Sequence, residues 1–216
     1  MTVSRCVGFV VLFLKNNMLY NKNNLNVAKI ADAGNAIKPA LGSVFFSKKH
    51  TVATDSFKLL EVSVDEGLKV EDYPAVDKKT AMRGFKPFMA NAMQLKDIKI
   101  PKNKNLPILE SVAIKHIDDR SIEFLTTDLE VANTTKVMRV DDKFPDYEQL
   151  FPIGEPQAII KINGKFLKSL LEVMTGVDEQ VEIKFYAKDK PLVLECGGRE
   201  KYLQKARGLL MPIRDI

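Results

Sequence analysis

The chain has 216 residues, a net charge of +5 and a pI near 9.0, with 45% hydrophobic and 28% charged residues. That length supports one or two domains with real cores, and the composition excludes a disordered or low-complexity chain. The two cysteines, Cys6 and Cys196, have no ligand spacing, which excludes a disulfide framework or a zinc site and suits a reducing cytoplasm.

The basic excess is compatible with an anionic partner such as nucleic acid, and equally with a solvated lysine-rich surface. No Walker loop, dinucleotide fingerprint, HExxH or GxSxG is present, so no enzyme, metal or cofactor is expected. His50 and His116 fall in predicted hairpin turns and read as surface turn residues.

In chain order, Cys6-Val-Gly-Phe-Val-Val-Leu-Phe-Leu14 is an apolar run too short to span a bilayer as a helix. It lacks a small-residue cleavage site. It reads as a buried strand or as residues ahead of a true start at Met18, and residues 1–17 are set apart as an uncertain extension. Residues Asn24–Ala33 predict a short helix capped by Asn24. A connector follows over 65–79, with Glu71-Asp-Tyr-Pro74 at its centre, and is the expected domain boundary. Phe85–Leu95 predicts a second helix, with Pro87 in its first turn. Gly164–Met174 gives the clearest helix, placing Phe166, Leu167, Leu170, Leu171 and Met174 on one face. Three strands are expected after it, over 181–186, 192–196 and 202–211.

An internal repeat ties these elements together. Pro39-Ala-Leu-Gly-Ser-Val44 matches Pro107-Ile-Leu-Glu-Ser-Val112, and each leads through an apolar hairpin to Thr-Asp, at Asp55 and Asp128. The second copy is longer, with His116–Arg120 as the extended turn. Equivalent places in a repeat argue that both aspartates bond backbone N–H groups at a strand-end turn, not that they form a catalytic pair. The expected class is α+β, with three units that each pack a helix on antiparallel strands.

Four patches resemble the bacterial DNA polymerase III β subunit, the sliding-clamp family. Ala53-Thr-Asp-Ser-Phe-Lys-Leu59 resembles its Ala-Thr-Asp-Gly-His-Arg-Leu segment. Leu106-Pro-Ile-Leu109 followed by Thr127-Asp-Leu-Glu130 resembles another clamp half-domain. Phe144-Pro-Asp-Tyr147 resembles its interdomain segment, and Leu210-Met-Pro-Ile-Arg214 its C-terminal Met-Pro-Met-Arg-Leu. The resemblance implies a DNA-clamp fold and a non-catalytic processivity factor of the cytoplasm, with no membrane association. Such a factor encircles duplex DNA without reading sequence, and it tethers the replicative DNA polymerase and the clamp loader. The family has three domains of two units each, in a two-chain ring. Three units here imply a reduced first clamp domain over 18–72 and a complete second one over 73–216, in a homo-oligomeric ring of three or four chains. The alternative is a clamp-fold adaptor that forms no ring and binds clamp-interacting peptides.

The resemblance also implies two sites. Helices line the family's hole, which assigns DNA contact to Lys29, Arg83, Lys86, Lys96, Lys165 and Lys168; the alternative for each is a solvated helix cation. A partner-peptide groove would use Thr54, Ser56, Phe57, Lys58 and Leu59 with Met211, Pro212, Ile213 and Arg214, and Pro74 and Val76 in the connector. For Leu59 and Ile213 the alternative is core packing. Ser56 and Phe57 stand where the family has Gly and His.

Overall fold

Three asparagines open three helices in the same way. The side chains of Asn21, Asn91 and Asn163 accept hydrogen bonds from the backbone N–H of Asn23, Met93 and Lys165 at 2.9, 2.8 and 2.9 Å. Each satisfies one of the donors that a helix start leaves orphaned. Asn24 completes a capping box with Asn21, so the first helix begins earlier than the sequence predicts.

The computed structural model describes residues 19–65, 67, 69–74, 85–103, 105–199 and 202–213. The elements of the first unit are β1 (Leu19–Asn21), α1 (Lys22–Asn26), β2 (Ser43–Phe46), β3 (His50–Thr54), β4 (Leu59–Ser63), β5 (Phe88–Asn91), α2 (Ala92–Leu95), β6 (Ser111–His116), β7 (Ser121–Thr127) and β8 (Ala132–Met138). A 3-10 turn, Val27–Lys29, extends α1. The second unit holds α3 (Gly164–Met174), β9 (Val181–Lys184), β10 (Leu192–Arg199) and β11 (Tyr202–Leu210). The division falls between Tyr147 and Glu148. No helix among the described residues is long and apolar enough to cross a membrane.

The first unit is built by exchange between its two repeats. Its sheets run β1-β6-β7-β8 and β4-β3-β2-β5, all antiparallel. The strand that opens each repeat therefore pairs with the other repeat's sheet. Asn21 stands opposite Ser111, and Asn91 opposite Ser43, so even the register is shared. This exchange explains why the expected boundary at 72/73 falls inside one unit: cutting there would strip an edge strand from both sheets. The core is correspondingly joint. Tyr20, Val44, Phe46, Phe88, Val112 and Phe124 form one buried cluster. Phe46 stacks on Phe88 at 4.8 Å and meets Tyr20 edge-on at 5.2 Å.

Exchange also overturns the expected helix over 85–95. Phe88, Met89 and Ala90 are all buried, a pattern that suits a strand covered on both faces, and they pair with Phe46, Phe45 and Val44. Only Ala92–Leu95 is helical, and Pro87 lies in the approach to the strand. The connector is likewise part of the fold. Val70–Asp72 forms a 3-10 turn, and the buried Tyr73 donates from its hydroxyl to the Ser111 carbonyl (3.0 Å) and accepts from the Thr127 N–H (3.2 Å). Burial pushes the Tyr73 hydroxyl up to about 12.

Phe144–Tyr147 closes the first unit, although the sequence places it within the last domain. Phe144 stacks on Phe45 at 5.3 Å, and the Tyr147 hydroxyl reaches His50 Nε2. His50 is thus tied to the closing segment. His116 is half-buried against Phe85 and Phe88, and burial holds its pKa below the usual imidazole value, with Arg139 and Lys86 adding to the effect. Neither is a free turn residue.

In the second unit α3 spans the predicted residues. Leu167, Leu170, Leu171 and Met174 pack on Leu192, Leu194, Cys196 and Leu210 of a sheet ordered β11-β10-β9. Phe166 leaves the expected buried face and is 61% exposed.

Candidate nucleic-acid and peptide interfaces

The helical side of the first unit brings together lysines far apart in sequence. A shallow depression of about 230 Å³ is lined by Lys22, Leu25, Lys29, Leu95, Lys96 and Ile98, among others. Leu25, Leu95 and Ile98 are buried, so the helices are fixed by their apolar faces while the three lysines stay exposed. Such flexible cations contact a phosphate backbone without reading bases. Lys29 and Lys96, predicted separately, thus share one surface. Lys22 lies ahead of the helix expected from Asn24; the Asn21-x-x-Asn24 capping spacing is the signal in the sequence that puts it on α1.

The other predicted cations divide. Lys86 precedes β5 and its charge is felt at His116, as is that of Arg139; it is not on a helix, because the helix expected there is a strand. Arg83 lies outside the described residues. Lys165 and Lys168 are exposed on α3 in the second unit, and Lys168 pairs with Glu172 at 3.5 Å.

The two Thr-Asp turns have the same construction. Asp55 Oδ1 accepts from the N–H groups of Phe57 and Lys58, both at 2.9 Å; Asp128 Oδ1 accepts from Glu130 and Val131 at 3.1 and 2.7 Å. Thr54 and Thr127 hydroxyls accept from Ser56 and Leu129. Those two residues carry the positive φ of the turn, 79° and 83°. The glycine that the family segment has at the first of these positions is explained by that torsion. The Lys58 ammonium beside Asp55, together with the two N–H donors, lowers its carboxyl to about 2. Both carboxylates are committed to holding turns.

Of the predicted peptide contacts, Phe57 is 97% exposed at the tip of its turn, Thr54 is buried, and Leu59 is half-buried in β4. Ser56, Lys58 and Pro74 are exposed. In the second unit Met211 and Ile213 are exposed at 58% and 53%, with Pro212 half-buried between them, which removes the core reading for Ile213. Val76 and Arg214 lie outside the described residues. The two stretches belong to different units.

No protein-family model matches the sequence, and no curated protein does. Solved structures do. The DNA polymerase III beta chain of Streptococcus pneumoniae matches 99% of this chain at 14% identity and a TM-score of 0.61. The DNA polymerase beta subunit of Streptococcus pyogenes matches 93% at 13% identity and 0.62, and the DNA polymerase sliding clamp of Bacillus subtilis 92% at 15% and 0.56. This chain spans about half the length of each: 51%, 51% and 50%. The helix-plus-sheet repeats and the likeness along almost the whole chain agree: the chain has the α+β fold of the DNA polymerase III β-subunit sliding clamps.

Proposed function

We propose that the chain is a sliding-clamp processivity factor: a homo-oligomer that encircles duplex DNA and holds replication proteins beside it. The observation that carries this reading is the lysine-lined helical layer of the first unit, where Lys22, Lys29 and Lys96 converge from two repeats. Retention would come from topology, and the cations would supply a sequence-independent attraction that permits sliding. Lys165 and Lys168 on α3 would add to it. Peptides of the replicative polymerase and clamp loader would dock on apolar surface at the Thr54–Leu59 turn and at Met211–Ile213. Exposed Met and Ile side chains suit varied apolar partners. Tethering raises the partner's effective concentration at the template.

The test is retention on circular DNA in the presence of a loader. A chain that stays on nicked circles and runs off when they are linearised supports the reading. A chain that never becomes topologically linked overturns it and leaves a peptide-binding adaptor. For residual direct binding, exchanging Lys29 and Lys96 for Gln should weaken affinity uniformly across sequences and reduce the salt slope by about 2. An unchanged slope would exclude the helical layer as the contact surface.

A further inference from the structure

The two repeats of the first unit carry the same gap, and one of them shows what fills it. The β6–β7 ladder begins at Ala113–Leu125, and the β2–β3 ladder at Phe45–Val52. Two positions further out, Ser111 faces Thr127 and Ser43 faces Thr54, at matching places in the repeat, and neither pair belongs to its ladder. In the second repeat the gap is bridged. The Tyr73 hydroxyl donates to the Ser111 carbonyl (3.0 Å) and accepts from the Thr127 N–H (3.2 Å). Tyr73 comes from the connector that follows the first repeat, and with Val70 it packs against Leu19 and Ala113, all of them buried.

In the first repeat the same two backbone groups are turned toward each other. The Ala92 N–H bonds the Gly42 carbonyl, which directs the next carbonyl, that of Ser43, to the β3 side. The Asp55 N–H bonds the Lys58 carbonyl, which directs the Thr54 N–H to the β2 side. Ser43 is 0% and Thr54 8% exposed. Their own hydroxyls are committed elsewhere, Ser43 donating to the Pro39 carbonyl (2.7 Å) and Thr54 to the Lys58 carbonyl (2.9 Å). The segment that closes the unit does not reach in as the connector does. Phe144 stacks on Phe45, the counterpart of Ala113, and the Tyr147 hydroxyl goes to His50, at the opposite end of β3 from Thr54. Among the described residues no hydroxyl bridges Ser43 and Thr54. A buried N–H and C=O held apart are costly until something pairs with both.

We propose that the peptide taken at the Thr54–Leu59 turn delivers a tyrosine, whose hydroxyl donates to the Ser43 carbonyl and accepts from the Thr54 N–H as Tyr73 does one repeat away. The proposal rests on the peptide-docking reading of that turn and adds the chemistry the site selects. The connector argues for the occupant: it is a short stretch of chain seated on the matching face of the same fold, and its phenol makes the polar contacts with the ladder. A phenylalanine fills the same place but leaves both backbone groups unpaired, so the site separates the two side chains by the hydroxyl alone. Leu59, half-buried at the start of β4, and the exposed Phe57 supply apolar surface for the residues that flank the tyrosine.

The test is fluorescence anisotropy of the full chain with two labelled peptides, one copying residues 69–75 and the other its Tyr73→Phe version. Amide NMR of the chain locates the contact. Expected is binding of the tyrosine peptide with a shift of the Thr54 N–H and none of the Thr127 N–H, whose partner is already in place. The phenylalanine peptide should bind with a dissociation constant about tenfold higher. Equal affinity of the two peptides at Thr54 overturns the proposal and leaves an apolar docking site that does not select tyrosine. A shift at Thr127 in place of Thr54 also overturns it, since the peptide is then exchanging with the connector. No shift at Thr54 with either peptide overturns the proposal, while retention on circular DNA tests the processivity reading separately.

Discussion

Tyr20 tests whether strand exchange makes the first unit one cooperative body. It sits in a three-residue strand, is fully buried, packs against Phe46 and Phe85, and donates from its hydroxyl to the Ser47 carbonyl at 2.7 Å. Tyr20→Phe removes the hydroxyl alone and leaves the carbonyl short of a partner, at a cost of about 1–2 kcal/mol. Tyr20→Ala also removes the ring and opens a cavity between the repeats. A buried aromatic truncated to alanine costs roughly 3–5 kcal/mol, so with the hydrogen bond the total is about 4–7 kcal/mol. That is a large part of the stability of a typical domain. Urea titration followed by far-UV circular dichroism gives the free energies, and amide hydrogen exchange shows where protection is lost. Amides of β2–β4 and of β6–β8 should lose protection together, because Tyr20 belongs by sequence to the first repeat and by pairing to the second repeat's sheet. A cost for Tyr20→Ala below about 2 kcal/mol, or loss confined to one sheet, would refute the joint core.

Two further outcomes follow from the Thr-Asp turns. Asp55 should titrate near 2 by NMR, and Lys58→Met should move it back toward the ordinary carboxylate range, since the Lys58 ammonium is the largest cause of its depression. With the folded value depressed, the turn's contribution is present above the unfolded carboxylate pKa and is lost as pH falls toward 2. An unshifted Asp55 in the parent chain would show that the ion pair does not persist in solution. Leu129→Gly should raise the melting temperature, by roughly 0.5–1 kcal/mol of stability, because a half-exposed leucine held at φ 83° gives up strain and little packing. A lower melting temperature would mean that the Leu129 side chain holds the turn.

The local pieces were legible from neighbouring residues alone. The Pro-x-Leu-x-Ser-Val and Thr-Asp frame announced the repeat, because turn chemistry is written in a few adjacent residues. The roles of Asp55 and Asp128 followed from their equivalent places. Helix α3 was legible because its buried face repeats at 3.6 residues and packs on a single sheet. Lys29 and Lys96 were legible as exposed cations on helical stretches, while Lys22 was hidden by a misplaced helix start.

Which strand pairs with which sheet depends on residues far apart in the chain and is visible only in the fold. Phe88-Met89-Ala90 carries no local mark separating strand from helix; the open edge of β2, more than forty residues earlier in the chain, makes it a strand. Tyr73 reads as connector until Ser111 and Thr127 supply its partners. The boundary after Tyr147 has the same cause. A repeat's sequence fixes the edges it presents, but what covers those edges depends on the pairing of distant segments.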